Sequence, residues 1–299
     1  MNEETKGSWY TALAYGLWGF FPIYWKFLAG ISVLQLTCHR IVWSFVVLAA
    51  MLTGANGWRA MRLAVRSWRT VGVYSLAALI IALNWLIFVW AVEIARIVEI
   101  SLGYFINPLL SVVLGVIFFR ERLRLLQWVS VLIAGAAVLY LTIAVGRLPW
   151  IALSLAAAFA TYGVLKKIAP LGAVHGLTLE TGILFLPAAA WLVIEEFRGS
   201  GALFHAGWVR DALMIGAGPV TTFPLLLFAA GVQRIPLSVV GMLQYINPTM
   251  QVLTAVFLYH EPFSRVQLIG FSLVWCALAL FAVESYLSRF WPQLAVTDA

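Results

Sequence analysis

Tyr104-Phe105-Ile106-Asn107-Pro108-Leu109 returns, in its Ile-Asn-Pro core, as Gln244-Tyr245-Ile246-Asn247-Pro248-Thr249, 140 residues further along a chain of 299. At the same offset Glu121 meets Glu261 and Gln127 meets Gln267. This shared register defines an internal repeat, and a repeat of that length governs the architecture before any local reading begins. The chain is built twice.

Hydrophobicity says what kind of unit is repeated. Hydrophobic residues make up 63% of the chain and charged residues 10%, and the mean hydropathy is +0.97. That composition excludes a soluble single-core domain and marks an all-α integral membrane protein. The first apolar segment is too long for a signal-peptide core and lacks a small-residue cleavage pattern, so it is expected to stay in the mature protein. Cys38 and Cys276 lie in separate apolar runs, which suggests neither a disulfide nor a metal site. The formal charge of +7 sits on Lys and Arg between the apolar runs, where the positive-inside rule accounts for it, and no nucleic-acid partner is implied.

A helix crosses the hydrocarbon core with roughly 20 apolar residues, which predicts ten spans at about 8–28, 33–53, 70–92, 97–119, 125–145, 148–167, 174–195, 210–231, 237–258 and 264–286. Five spans per repeat is an odd number, so the second unit must enter the membrane from the opposite side. The expected fold is ten transmembrane helices in two inverted five-helix repeats, 1–145 and 146–286, with a cytoplasmic tail at 287–299. With the N-terminus inside, cytoplasmic segments hold twelve Lys and Arg and external ones six, so both termini are predicted cytoplasmic. In the longest internal loop Arg59, Arg62, Arg66 and Arg69 follow Trp58, Met61, Val65 and Trp68 at helical spacing. This reads as an amphipathic helix lying on anionic lipid.

Ten spans in a five-plus-five inverted repeat, each unit with a Pro-containing span, a Glu at the membrane surface and a Gln six residues on, resembles the EamA repeat of the drug/metabolite transporter superfamily. More narrowly, Leu17-Trp18-Gly19-Phe20-Phe21-Pro22-Ile23-Tyr24-Trp25-Lys26, Cys38-His39-Arg40 and Ser101-Leu102-Gly103-Tyr104-Phe105-Ile106-Asn107-Pro108-Leu109 are similar to the RarD group, often labelled chloramphenicol-sensitive proteins. The resemblance spans about residues 8–286 and implies a bacterial inner-membrane carrier or exporter of small metabolites, its cavity lined by spans 1–4 and 6–9 with spans 5 and 10 peripheral. The second repeat departs from the first at Pro262 and at Trp275, which stands where Gly135 does in the first.

Ionisable groups inside spans cost about 2.5–3.5 kcal/mol each on insertion scales, so they should face a partner or a wet cavity. His39, Arg40, Glu99 and Glu180 are the candidates. Arg40 and Glu99 both fall in the outer part of the membrane and are expected to pair, while Glu180 falls toward the cytoplasmic side. Pro108 and Pro248 each free a helical carbonyl, of Tyr104 and Gln244, and are hinge candidates. Asn107 and Asn247 offer a donor and an acceptor beside them, either as interhelical glue or as ligand contacts. Asn84, Tyr104, Gln244 and Tyr245 complete the substrate-cavity candidates. Trp18, Trp25, Trp85 and Trp90 suit an aromatic cavity or an interfacial belt. Glu121 and Glu261 precede a helix whose positive N-terminal end each is expected to meet.

No phosphate-binding Gly-rich loop is present, which argues against ATP-driven pumping by this chain. The four histidines lack metal-site spacing, and no cofactor is implied. The expectation is a secondary transporter, exporting a small-molecule solute, coupled to an ion gradient (a proton is the candidate) or to exchange. Membrane lipids and a second copy in a homodimer are the other partners considered. A membrane-embedded enzyme acting on a lipid-linked substrate and a non-transporting scaffold are the rivals.

Overall fold

Every regular element of the computed structural model is helical, over the described residues 2–94, 96–146, 148–260 and 264–290. In chain order these are α1 (Glu3–Gly19), α2 (Phe21–Phe27), α3 (Val33–Gly54), α4 (Trp58–Ala64), α5 (Trp68–Glu93), α6 (Ile97–Phe119) and α7 (Leu125–Val145). There follow α8 (Trp150–Ile168), α9 (Ala173–Phe197), α10 (Trp208–Val232), α11 (Leu237–Gln244), α12 (Ile246–Leu253), a π-helical turn (Thr254–Leu258) and α13 (Arg265–Phe290). Among the described residues eight helices are long and apolar enough to cross a membrane: α3, α5 to α10, and α13. Two further apolar segments are interrupted, one at Phe20 between α1 and α2, the other at Tyr245 between α11 and α12.

The burial pattern is that of a bundle with an apolar exterior. On α7, Leu132 and Ile143 are each 69% exposed while Ser130, Ala134 and Ala137 are fully buried. Small residues face inward because lipid tails give apolar side chains no reason to leave the surface, and helices associate by close backbone approach. Gly241 of α11 lies against Pro108 of α6, where an added Cβ would meet the Pro108 carbonyl oxygen at 2.5 Å. Gly231 of α10 similarly approaches the Gly7 carbonyl of α1.

Packing pairs recur when the halves are exchanged. The contact of α6 with α8 is matched by α11 and α12 with α1, that of α3 with α10 by α5 with α9, and that of α1 with α10 by α5 with α8. The pairs α3 with α9, α6 with α11 and α7 with α13 map onto themselves.

Several local expectations need correction. The amphipathic helix is only seven residues, Trp58–Ala64, because the Ser67 hydroxyl accepts from the Thr70 amide and caps α5, which takes Trp68 and Arg69. Glu121 meets a helix N-terminus, but that of α11 rather than of α7: its two oxygens accept from the amides of Leu237 (2.6 Å) and Ser238 (2.8 Å). The start of α7 is served by Gln127, whose Oε1 accepts from the Arg124 amide at 3.0 Å, and Gln267 repeats this on Ser264 before α13. Pro108 lies inside an unbroken α6, whereas the segment carrying Pro248 is interrupted at Tyr245, so the two prolines are not equivalent. Trp275 donates to Thr249 Oγ1 at 3.1 Å and joins α13 to α12. Arg147, Glu261, Pro262 and the segment 291–299 lie outside the described residues, as does the side chain of Arg289; residues 287–290 continue α13.

Candidate functional site

Arg40 stands at the centre of the polar chemistry. Its Nε donates to Thr221 Oγ1 of α10 at 3.1 Å, and its guanidinium lies between the rings of Trp25 (5.2 Å) and Trp85 (5.0 Å). The expected pair with Glu99 is not formed. Glu99 is buried at the start of α6 and faces Arg96, one turn away, at 3.4 Å. Thr221 and the two tryptophans meet the arginine from α10, α2 and α5, a convergence that spacing along the chain does not encode.

Arg40, Trp25 and Trp85 line a cavity of about 550 Å³, within the usual range for small-molecule sites. The exposed Ala29 and Gly30, between α2 and α3, line it, so it reaches the surface at that end. Asn107 and Gln244 lie along its wall, 4% and 3% exposed, and their carbonyl oxygens Oδ1 and Oε1 have no hydrogen-bond partner. Asn247 also lines it, its Oδ1 accepting from Gln251 Nε2 at 2.9 Å. Asn84 donates to the Leu155 carbonyl at 2.9 Å and so ties α5 to α8 at the cavity wall, and Tyr104 lines the wall next to the Arg40 side.

The floor is aromatic. Tyr15, Trp18 and Phe159 line the cavity and pack on Phe228, with ring centroids 5.7 to 6.0 Å from it, and Phe228 stacks on Tyr162. Below that plug the Tyr162 hydroxyl donates to Glu180 Oε2 at 2.9 Å, and Lys166 Nζ meets Glu180 Oε1 at 2.8 Å, both ions being almost fully buried. Tyr74 accepts from the Leu171 amide at 3.0 Å and donates to its carbonyl at 3.2 Å. Gln233 donates to the carbonyls of Ala169 and Leu171. This end is closed.

Of the other candidates, Glu180 belongs to that closure and not to the cavity wall. His39 lines a separate cavity between α3, α9 and the stretch 201–204. Tyr245 is fully buried and donates to the Phe105 carbonyl at 3.2 Å, and Trp90 packs on Trp150, so neither lines the central cavity. Thr221 and Gln251 went unread because a Thr or Gln in a membrane helix bonds its own backbone as readily as a site.

A bundle of apolar helices around a central, solute-sized, one-ended cavity is the architecture of a membrane transporter. The chain belongs to the EamA-like transporter family, which it matches twice, at residues 5–143 and 148–283, and within that family it is of the RarD type. It is 42% identical over 285 residues to Protein RarD of Streptomyces exfoliatus, across 95% of this chain and 90% of that protein. Over 283 residues it is 42% identical to the uncharacterized transporter YojE of Bacillus subtilis, across 93% of this chain and 94% of the relative. A protein of known crystal structure, 17% identical, shares the fold with a TM-score of 0.71 over 94% of this chain and 98% of its own.

Proposed function

We propose that this membrane transporter is a secondary carrier of the bacterial inner membrane, moving a small organic solute by alternating access between two inverted five-span repeats, 1–145 and 146–286. The observation that carries the reading is a central cavity, walled by elements of both halves, open beside α2 and α3 and sealed at the other end by an aromatic plug over a buried ion pair. Inverted-repeat carriers bind near the midplane at the repeat junction and rock between two such one-ended states. The exchange of packing pairs between the halves supports the inverted repeat. Counting interrupted α1 and α2 as one span, and α11, α12 and the π-helical turn as another, brings the eight long helices to ten. The Lys and Arg distribution puts both termini in the cytoplasm, and the mouth beside Ala29 then faces the periplasm. Export, coupled to a proton gradient or to exchange, is the direction we propose.

Protein in liposomes, challenged with solutes chosen by thermal-shift screening, should give saturable, protein-dependent flux of at least one solute that stabilises it. Stabilising solutes that never cross would sink the carrier reading in favour of a scaffold, and chemical conversion of a solute would favour an enzyme.

A further inference from the structure

Arg40 is the only charged side chain lining the central cavity among the described residues. It forms no ion pair with a described carboxylate, and only its Nε–H has a hydrogen-bond partner. A guanidinium carries five donors in a planar fork suited to carboxylate, so the terminal donors are left for something that enters the cavity. An arginine is not kept without a counter-ion in a membrane interior unless solvent or a ligand supplies one. The rings of Trp25 and Trp85, at 5.2 and 5.0 Å, together with the bond to Thr221, restrict the fork to one orientation before any ligand arrives.

We infer that the cavity is an organic-anion site in which Arg40 receives the carboxylate of a planar, largely apolar solute. Two features favour an organic anion over a bare inorganic one. A volume of about 550 Å³ far exceeds what chloride or acetate fills. The rings of Trp25 and Trp85 stand beside the guanidinium, Trp18 and Phe88 add further aromatic lining, and a planar body packs on such surfaces with directional gain. The solute's negative charge would thus answer the terminal guanidinium donors that the protein leaves unsatisfied.

The inference rests on the carrier reading only for its purpose; the site itself is tested by equilibrium binding. Purified full-length protein in nanodiscs is titrated calorimetrically with 2-naphthoate, its neutral isostere 2-naphthamide, and acetate. We expect saturable naphthoate binding at least about tenfold tighter than naphthamide, the scale of hydrogen bonds to a charged group, with acetate a poor competitor. In Arg40→Met, checked for monodisperse elution and a cooperative melt, the preference should vanish; if that variant does not fold, the wild-type comparison of the two probes decides alone. Equal affinity for the two probes, absence of saturable naphthoate binding, acetate competing as well as naphthoate, or a preference surviving in folded Arg40→Met would each overturn the proposal. Arg40-dependent binding without flux in liposomes would instead sink the carrier reading and leave this site standing.

Discussion

Glu180 divides its two oxygens between partners, Oε1 to Lys166 and Oε2 to Tyr162, inside a region almost closed to solvent. Removing one member of such a pair strands a charge. Glu180→Gln or Lys166→Met alone should therefore lower stability by about 3–5 kcal/mol, the range for a broken buried pair, while the double change costs less than the sum because neither ion remains. Thermal unfolding in detergent measures the cycle, and strict additivity would mean the contact contributes nothing. The sequence makes Glu180 legible as an ion that needs a partner, since a carboxylate within a span is rarely left alone. The partner was not legible: Lys166 reads as a positive-inside residue at a helix end, and only the folded bundle, with α8 packed on α5 and α6, turns it inward to within 2.8 Å of Glu180. Arg40 fails in the same way. It is legible as a cavity ion, but its neighbours come from α2, α5 and α10, and its expected partner Glu99 meets Arg96, at the N-cap of its own helix, instead.

Helix ends and breaks carry the next level of organisation. Glu121 binds two free amides at the start of α11, whose own N-cap, Pro236, offers no side-chain acceptor. Glu121→Ala should cost about 0.5–2 kcal/mol, as for a lost N-cap, and should raise hydrogen exchange at the Leu237 and Ser238 amides before any other site. Uniform exchange across the bundle would count against a local cap. The Asn-Pro repeat predicts two matched hinges, and the helices answer differently: α6 runs through Pro108, and the second copy is broken at Tyr245 and ends in a π-helical turn. Pro248→Ala restores a donor where the helix is interrupted, so it should slow solute flux more than Pro108→Ala, with equilibrium binding nearly kept in both. Equal flux in the two variants would remove the asymmetry. The spans themselves were legible because each is a long apolar run. The interruptions at Phe20 and Tyr245 were not, because membrane helices tolerate Gly and Pro and composition does not reveal which of them breaks the ladder.

At the scale of the molecule the two ends differ, and each is tied together by contacts between distant connections. Gln35 at the start of α3 donates to the Ser200 carbonyl and accepts from the Ala202 amide, so the α2–α3 and α9–α10 connections share the open end. At the other, Tyr74 at the start of α5 holds Leu171 between α8 and α9, a pair of bonds linking the first half of the chain to the second across the closed end. Cysteines at Ala29 and Ser200 should therefore react with an impermeant maleimide from one side of the membrane and a cysteine at Ala55 from the other. A cysteine at Val33, on the cavity wall, should react only from the Ala29 side. If the halves rock about the cavity, the closed end is held by a free energy that Tyr74→Phe reduces by about 0.5–1.5 kcal/mol for each hydrogen bond lost, enough to move a two-state population by severalfold. In Tyr74→Phe the Val33 cysteine should then react more slowly from the Ala29 side and begin to react from the Ala55 side, without change in the labelling of Ala29, Ser200 or Ala55. An unaltered Val33 rate in a variant that still folds would mean that the Tyr74 contact does not bias the equilibrium between the two ends.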